Sequence, residues 1–294
     1  MVCKYRVILS IDGGGLLGII PLKILDYLHR SLSECDENLD VTSWVDVFSS
    51  TSTSSIFTGA LMLKDQNQRS KYKPSDLLHF YERKGSQMFN QNIGIDANNS
   101  TFPLSFVLDH FFGKIKMGSF KNHFLFVCYN KTHQETCTIS NSSDRYRDLA
   151  LSKVMRACSA TENVFPPMIL DKNELIDAKF CCQNPALMAY DYARMFYQDE
   201  PIILVSIGTG GFKSENLSLN HKQSIEVDNQ LAEIAKFDRR LIYFRYQPEL
   251  DNEFLSDSLS VDQLEKLTSI TEDYIGNNKE KFADLVNFIS LKMA

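Results

Sequence analysis

A chain of 294 residues that is 44% hydrophobic and 23% charged has the make-up of a folded globular protein, long enough to bury one large core. Its formal net charge of −6, from 31 basic and 37 acidic residues, argues against a nucleic-acid partner, which would call for a basic patch or stripe. Its seven cysteines are odd in number and irregularly spaced, with no C-x-x-C pair; this argues against a disulfide framework or a zinc site and fits reduced thiols in a cytoplasmic setting. The N-terminus leads straight into a strand without the apolar run of a secretory leader, and no apolar stretch approaches membrane-spanning length.

The run Tyr5 to Ile11 reads as a buried strand, stopped by Asp12 and three glycines. Leu22, Leu25, Leu28 and Leu32 then form a helical stripe behind Pro21. A second unit follows: a strand over Val45 to Phe48, a Ser/Thr-rich turn, and a buried helix over Ile56 to Leu63. Lys64 to Lys73 is a polar loop, Pro74 to Phe89 an amphipathic helix, and Gln91 to Thr101 a loop that could serve as a lid or a passive surface segment. His123 to Tyr129 and Thr136 to Ser140 are strand candidates, Leu151 to Ala157 a helix, Leu175 to Asp177 a strand stub, Asn184 to Phe196 a helix, and Pro201 to Ile207 another buried strand. Beyond about Leu217 the chain reads as helical, around Val227 to Leu241 and Val261 to Ser290. Alternating strands and helices without a repeat predict one α/β domain over 1–294, with a core over about 5–215 and a helical extension over about 217–294.

Three segments carry candidate chemistry. In Asp12-Gly13-Gly14-Gly15-Leu16-Leu17-Gly18, between strand and helix, glycines let backbone N–H groups approach a ligand, and the helix adds its positive end. Such a loop suits a phosphate or the oxyanion of an acyl-transfer intermediate. In Ser49-Ser50-Thr51-Ser52-Thr53-Ser54-Ser55, again between strand and helix, a nucleophile elbow would place an exposed serine on a strained turn; a structural Ser/Thr loop has the same composition. Asp177 ends a strand stub, where an Asp serves as base, cap or turn residue.

In this order and spacing the segments resemble the patatin-like phospholipases. VDVFSSTSTSS, with Asp46 at its start, is similar to D-V-x-x-G-T-S-T-G-G; RACSATENVFPP to R-A-T-S-A-A-P-T-Y-F-P-P; Asp177 with Asn184-Pro185-Ala186 to D-G-G followed by N-N-P-A; and VSIGTG to S-L-G-T-G. The resemblance runs from about Tyr5 to about Leu285. It implies a three-layer α/β/α fold around a mostly parallel sheet, and hydrolysis of a fatty-acyl ester in a phospholipid or related lipid at a peripheral membrane surface. Ser52 would be the nucleophile and Asp177 its base. The N–H groups of Gly13, Gly14 and Gly15 would form the oxyanion hole, and neither histidine, metal nor cofactor would be needed.

Several positions depart from the family pattern. Leu17 replaces the arginine of the glycine loop, Ser50, Ser54 and Ser55 replace elbow glycines, and Ala178-Lys179 replace the glycines after the base. Lys179 would either pair with Asp177 and weaken it as a base or point to solvent. Restoring glycine at Ser50 and Ser54 is expected to raise the rate. The alternative expectation is a catalytically impaired or partner-activated relative that binds lipid or protein. The aromatics Phe102, Phe106, Phe111, Phe112 and Phe120, with His110, are candidates for an acyl pocket or for the core.

Overall fold

The computed structural model describes residues 5–34, 39–89, 102–162, 164–212, 217–251, 254 and 259–293. The loop expected over Gln91 to Thr101 lies outside them. The strands are β1 (Arg6–Ile11), β2 (Val47–Thr51), β3 (His123–Asn130), β4 (Glu135–Ser140), β5 (Met168–Leu170), β6 (Asn173–Asp177), β7 (Ile202–Ile207), β8 (Gly211–Phe212), β9 (Leu241–Tyr246) and β10 (Glu249–Leu250). The helices are α1 (Ile19–Ser33), α2 (Val41–Trp44), α3 (Ser54–Leu61), α4 (Pro74–Phe89), α5 (Phe102–Phe112), α6 (Leu151–Cys158), α7 (Ala186–Arg194), α8 (Leu219–Phe237), α9 (Val261–Asn277) and α10 (Lys279–Met293).

Among the described residues the central sheet runs β5-β6-β3-β2-β1-β7-β9, with β4 also paired to β3. The neighbours from β3 to β9 are parallel, whereas β4 and β6 run antiparallel to β3. Strand alternation divides the apolar side chains between two faces. Val7, Leu9 and Ile11 join Ile203, Val205 and Ile207 in the larger core, beneath α1 and α3; Ile8 and Leu204 join Ala186, Ala189 and Leu231 on the opposite face. This is the α/β fold with helices on both faces of a largely parallel sheet that the family resemblance implies.

The register around β3 positions the site. β4 pairs along Leu125–Asn130 on one side. The other side is shared: β2 pairs up to Thr51 opposite Val127, and β6 ends at Asp177 opposite Cys128. The ends of β2 and β6 therefore meet head to head, with Ser52 and Asp177 at the junction.

The C-terminal part differs from the sequence reading. Leu241–Tyr246 is the edge strand β9, paired in register with β7, rather than the end of a helix and a helical extension. The charged Asp238, Arg239 and Arg240 before it, and Arg245 within it, mask a short β-rich run. The segment read as one helix over Val261 to Ser290 is broken at Asn278, whose side-chain amide donates to the Tyr274 carbonyl at 2.8 Å. The aromatic-rich stretch at Phe102 is the helix α5, which the sequence reading left unassigned.

Strand β9 delivers Arg245 to the end of β1. Its guanidinium makes two bonds to the Asp12 carboxylate, Nη1 to Oδ1 at 2.8 Å and Nη2 to Oδ2 at 2.6 Å, and also donates to the Ser206 hydroxyl at 2.7 Å. Ser224 of α8 donates to Asp12 Oδ2 at 3.0 Å. Both charges are buried, so each depends on the other. Arg245→Met should lower unfolding stability by about 3–5 kcal/mol, because it leaves Asp12 uncompensated. Urea unfolding at neutral pH checks this; a loss below about 1 kcal/mol would show that the pair does not anchor the loop.

Candidate active site

Ser52 sits between β2 and α3 with φ of 61°, in the left-handed region that non-glycine residues avoid. Holding it there costs on the order of 1–3 kcal/mol, a strain typical of functional turns. Its Oγ donates to Asp177 Oδ2 at 2.6 Å. Ser52 is 1% exposed and Asp177 2% exposed, so water barely competes for this bond.

The Asp177 carboxylate is held by further donors. Thr161 Oγ1 donates to Oδ2 at 2.7 Å, and the backbone N–H of Lys179 donates to Oδ1 at 2.8 Å. The Thr161 segment is closed by Arg156, whose Nη2 donates to the Pro166 carbonyl at 2.7 Å, and tied to β6 by the Asp177 N–H donating to the Ala160 carbonyl at 3.1 Å. Burial pushes the Asp177 carboxyl above its ordinary range. The hydrogen bonds from Ser52, Thr161 and Lys179, and the Lys179 charge, act in the opposite sense. Among the described residues no ion pair within 4.0 Å joins Lys179 to Asp177 (hence the backbone, not the ammonium, makes the contact). No histidine is hydrogen-bonded to Ser52 or Asp177 among them either.

The glycine loop can be followed carbonyl by carbonyl. Asp12 O accepts the Ser54 hydroxyl at 2.7 Å, Gly13 O the Thr209 hydroxyl at 2.8 Å, Gly14 O the Leu17 N–H at 3.0 Å, and Gly15 O the Tyr81 hydroxyl at 2.5 Å. The Gly13 N–H donates to the Gln183 carbonyl at 2.9 Å, which commits one of the three donors expected for an oxyanion. Among the described residues nothing takes the N–H of Gly14 or Gly15. Gly15 has φ of 57°, where a side chain would be strained. A β-carbon on Gly18 would lie 3.1 Å from the Tyr81 hydroxyl, so that glycine admits α4 against the loop. Leu17 is buried.

The serines that replace elbow glycines are built into the site. Ser54 ties the elbow to Asp12, and Ser50 Oγ donates to Ser55 Oγ at 3.3 Å. This removes the ground for expecting glycine to improve the elbow. By contrast, Asp46 lies at the far end of the sheet, accepting from the Val7 N–H at 2.7 Å and from Arg6 and Lys292. Phe111 and Phe112 are in the core, Phe120 packs against it, and Phe106 is 66% exposed; the Phe102 side chain lies outside the described residues.

Sequence reasoning did not single out Thr161, Thr209, Tyr81 or Arg245. Thr161 and Thr209 lie inside quoted motifs, RACSATENVFPP and VSIGTG, which was a usable signal. Tyr81 and Arg245 come from distant elements and carried none.

The family model described as patatin-like phospholipase matches residues 9–190. Patatin-17 of Solanum cardiophyllum is 27% identical over 235 residues, covering 69% of this chain and 60% of its own. Patatin-like protein 1 of Arabidopsis thaliana is 24% identical over 246 residues, 71% of this chain and 59% of its own. "Probable inactive patatin-3-Kuras 1" of Solanum tuberosum is 25% identical over 232 residues, 69% of this chain and 62% of its own. Among solved structures, VipD from Legionella pneumophila aligns with 92% of this chain and 67% of its own at 10% identity, with a TM-score of 0.40, too loose a likeness to bear on function. The chain belongs to the patatin-like phospholipase family, and it spans about 60% of the length of these plant relatives.

Two outcomes follow from the site. Ser54→Gly removes a buried hydrogen bond and loosens the first turn of α3, so unfolding stability in urea should fall by about 1–2 kcal/mol; an equally stable variant would contradict the role given to Ser54. If Asp177 serves as a base toward Ser52 it must be ionised, and turnover would then rise with pH along an acid limb above the usual Asp value of about 4. Thr161→Val removes a donor to the charged form and should move that limb upward. A kcat/KM–pH profile with the limb unmoved would show that Thr161 does not tune Asp177.

Proposed function

We propose that the chain is a lipid acyl hydrolase in which Ser52 is the nucleophile and Asp177 the general base. The observation that carries this reading is the 2.6 Å bond from Ser52 Oγ to Asp177 Oδ2, made by a serine held at positive φ between a strand and a helix. Asp177 takes the hydroxyl proton as Oγ attacks the ester carbonyl. The carbonyl oxygen gains the negative charge, which the N–H groups of Gly14 and Gly15 receive. Collapse expels the alcohol of the lipid, protonated by Asp177, and leaves an acyl ester on Ser52. Water, deprotonated by Asp177, then releases the fatty acid and restores the serine. The raised proton affinity of the buried Asp177 suits a carboxylate that must accept a proton near neutrality.

The substrate class we propose is a phospholipid or related acyl-ester lipid met at a membrane surface, by analogy with the family. No helix among the described residues is long and apolar enough to cross a membrane. Free thiols at Cys128, Cys137, Cys158, Cys181 and Cys182 fit a reducing, cytoplasmic setting.

A second reading has its own support. Ser52 is 1% exposed, so a lipid acyl group needs the site to open before it can react. An enzyme dormant until a membrane or a partner protein opens the site fits that burial.

Acyl release from phosphatidylcholine vesicles and from p-nitrophenyl butyrate separates the readings. Native protein should hydrolyse at least one of them, and Ser52→Ala and Asp177→Asn should each lose at least about 10³-fold in kcat. Equal rates in native and Ser52→Ala protein would refute the nucleophile. Silence in every sample, with vesicles present, would favour the dormant or binding protein.

A further inference from the structure

We infer that Thr209 is a positioning residue of the acyl-transfer site, whose hydroxyl holds the Gly13–Gly14 peptide so that the Gly14 N–H faces Ser52. The inference rests on the reading of Ser52 as nucleophile.

Thr209 follows β7, and Ser52 follows β2; the two strands flank β1 on opposite sides. Thr209 Oγ1 donates to the Gly13 carbonyl at 2.8 Å, drawing that oxygen to the β7 side of the loop. In a planar trans peptide the C=O and N–H point in opposite directions. The N–H of Gly14 is therefore sent to the β2 side, where Ser52 stands. Packing on the two flanks agrees. A β-carbon on Gly13 would lie 3.2 Å from the Ser52 β-carbon, whereas one on Gly14 would fall inside the Thr209 side chain.

The loop cannot hold this orientation by itself. A peptide flanked by glycines has little steric resistance to turning, and Gly13 and Gly14 have no side chains to resist it. The other carbonyls of the loop are held by Ser54, the Leu17 N–H and Tyr81, but those contacts act on other peptide planes. Thr209 alone among the described contacts acts on the plane that carries the Gly14 N–H. Thr209 is 1% exposed, so without its hydroxyl the Gly13 carbonyl would be buried without a partner. A buried carbonyl without a partner is unfavourable, which drives the peptide toward another acceptor geometry.

The test uses the full chain with p-nitrophenyl butyrate and phosphatidylcholine vesicles, and Ser52→Ala as the baseline. Thr209→Val keeps the shape and removes the donor; Thr209→Ser keeps the donor and removes a methyl group. Thr209→Val should lose about 10- to 10²-fold in kcat with KM nearly unchanged, and Thr209→Ser should keep most of the native kcat. If Val disturbs folding, Thr209→Ala against Thr209→Ser makes the same comparison. Native rates in Thr209→Val, with Ser52→Ala silent, would overturn the role of Thr209 and leave the nucleophile standing. Equal rates in native and Ser52→Ala protein would instead overturn the reading of Ser52. Crystal structures of native and Thr209→Val protein decide independently of activity: a turned Gly13–Gly14 peptide supports the inference, and an unmoved carbonyl overturns it.

Discussion

One side of β3 is shared by two strands that run toward each other, and the rest of the site depends on that arrangement. β2 pairs with β3 up to Val127 and β6 takes over at Cys128. Neither strand can be extended without displacing the other, so both end at this junction. The serine leaving β2 and the aspartate closing β6 thus come within a hydrogen bond, although 125 residues separate them in sequence. The strained φ of Ser52 is tolerated because the strand before it and the helix after it are both packed in the core.

Around this junction the backbone is oriented by side chains from separate elements. Ser54 comes from α3, Tyr81 from α4 and Thr209 from the turn after β7, and each donates a hydroxyl proton to a different carbonyl of the glycine loop. Arg245 and Ser224 hold the Asp12 side chain at the loop's entrance. A loop rich in glycine is flexible in isolation; here side chains from other elements help set its orientation, and among the described residues the N–H groups of Gly14 and Gly15 have no acceptor. Preorganised donors of this kind contribute to acyl transfer because they need not reorient as charge develops. The serines at elbow positions belong to the same scheme, since Ser54 is one of the tethers. Substitution of glycine there is compatible with an ordered site, because the added hydroxyls find partners.

Much of the fold was legible from periodicity. The run from Tyr5 to Ile11, the leucine stripe after Pro21 and the strand before Gly208 each carry an unambiguous pattern and form the centre of the molecule. Leu241–Tyr246 was not legible, because this short apolar and aromatic run follows a charged helix end and contains an arginine whose partner is 233 positions away. The pairing of Ser52 with Asp177 was reached through motif resemblance, whereas the register on β3 that creates it has no local signal. The same holds for the tethers: a threonine in VSIGTG reads as a turn residue until the Gly13 carbonyl is seen beside it. The burial of Ser52 is likewise a property of the assembled fold.

The central claim is that Ser52 is a nucleophile activated by Asp177. Labelling with a fluorophosphonate, followed by peptide mapping by mass spectrometry, tests it without a choice of lipid. One adduct is expected, on Ser52, formed in the native chain and sharply slowed in Asp177→Asn. Absence of an adduct when vesicles are present, or an adduct on another serine, would contradict it.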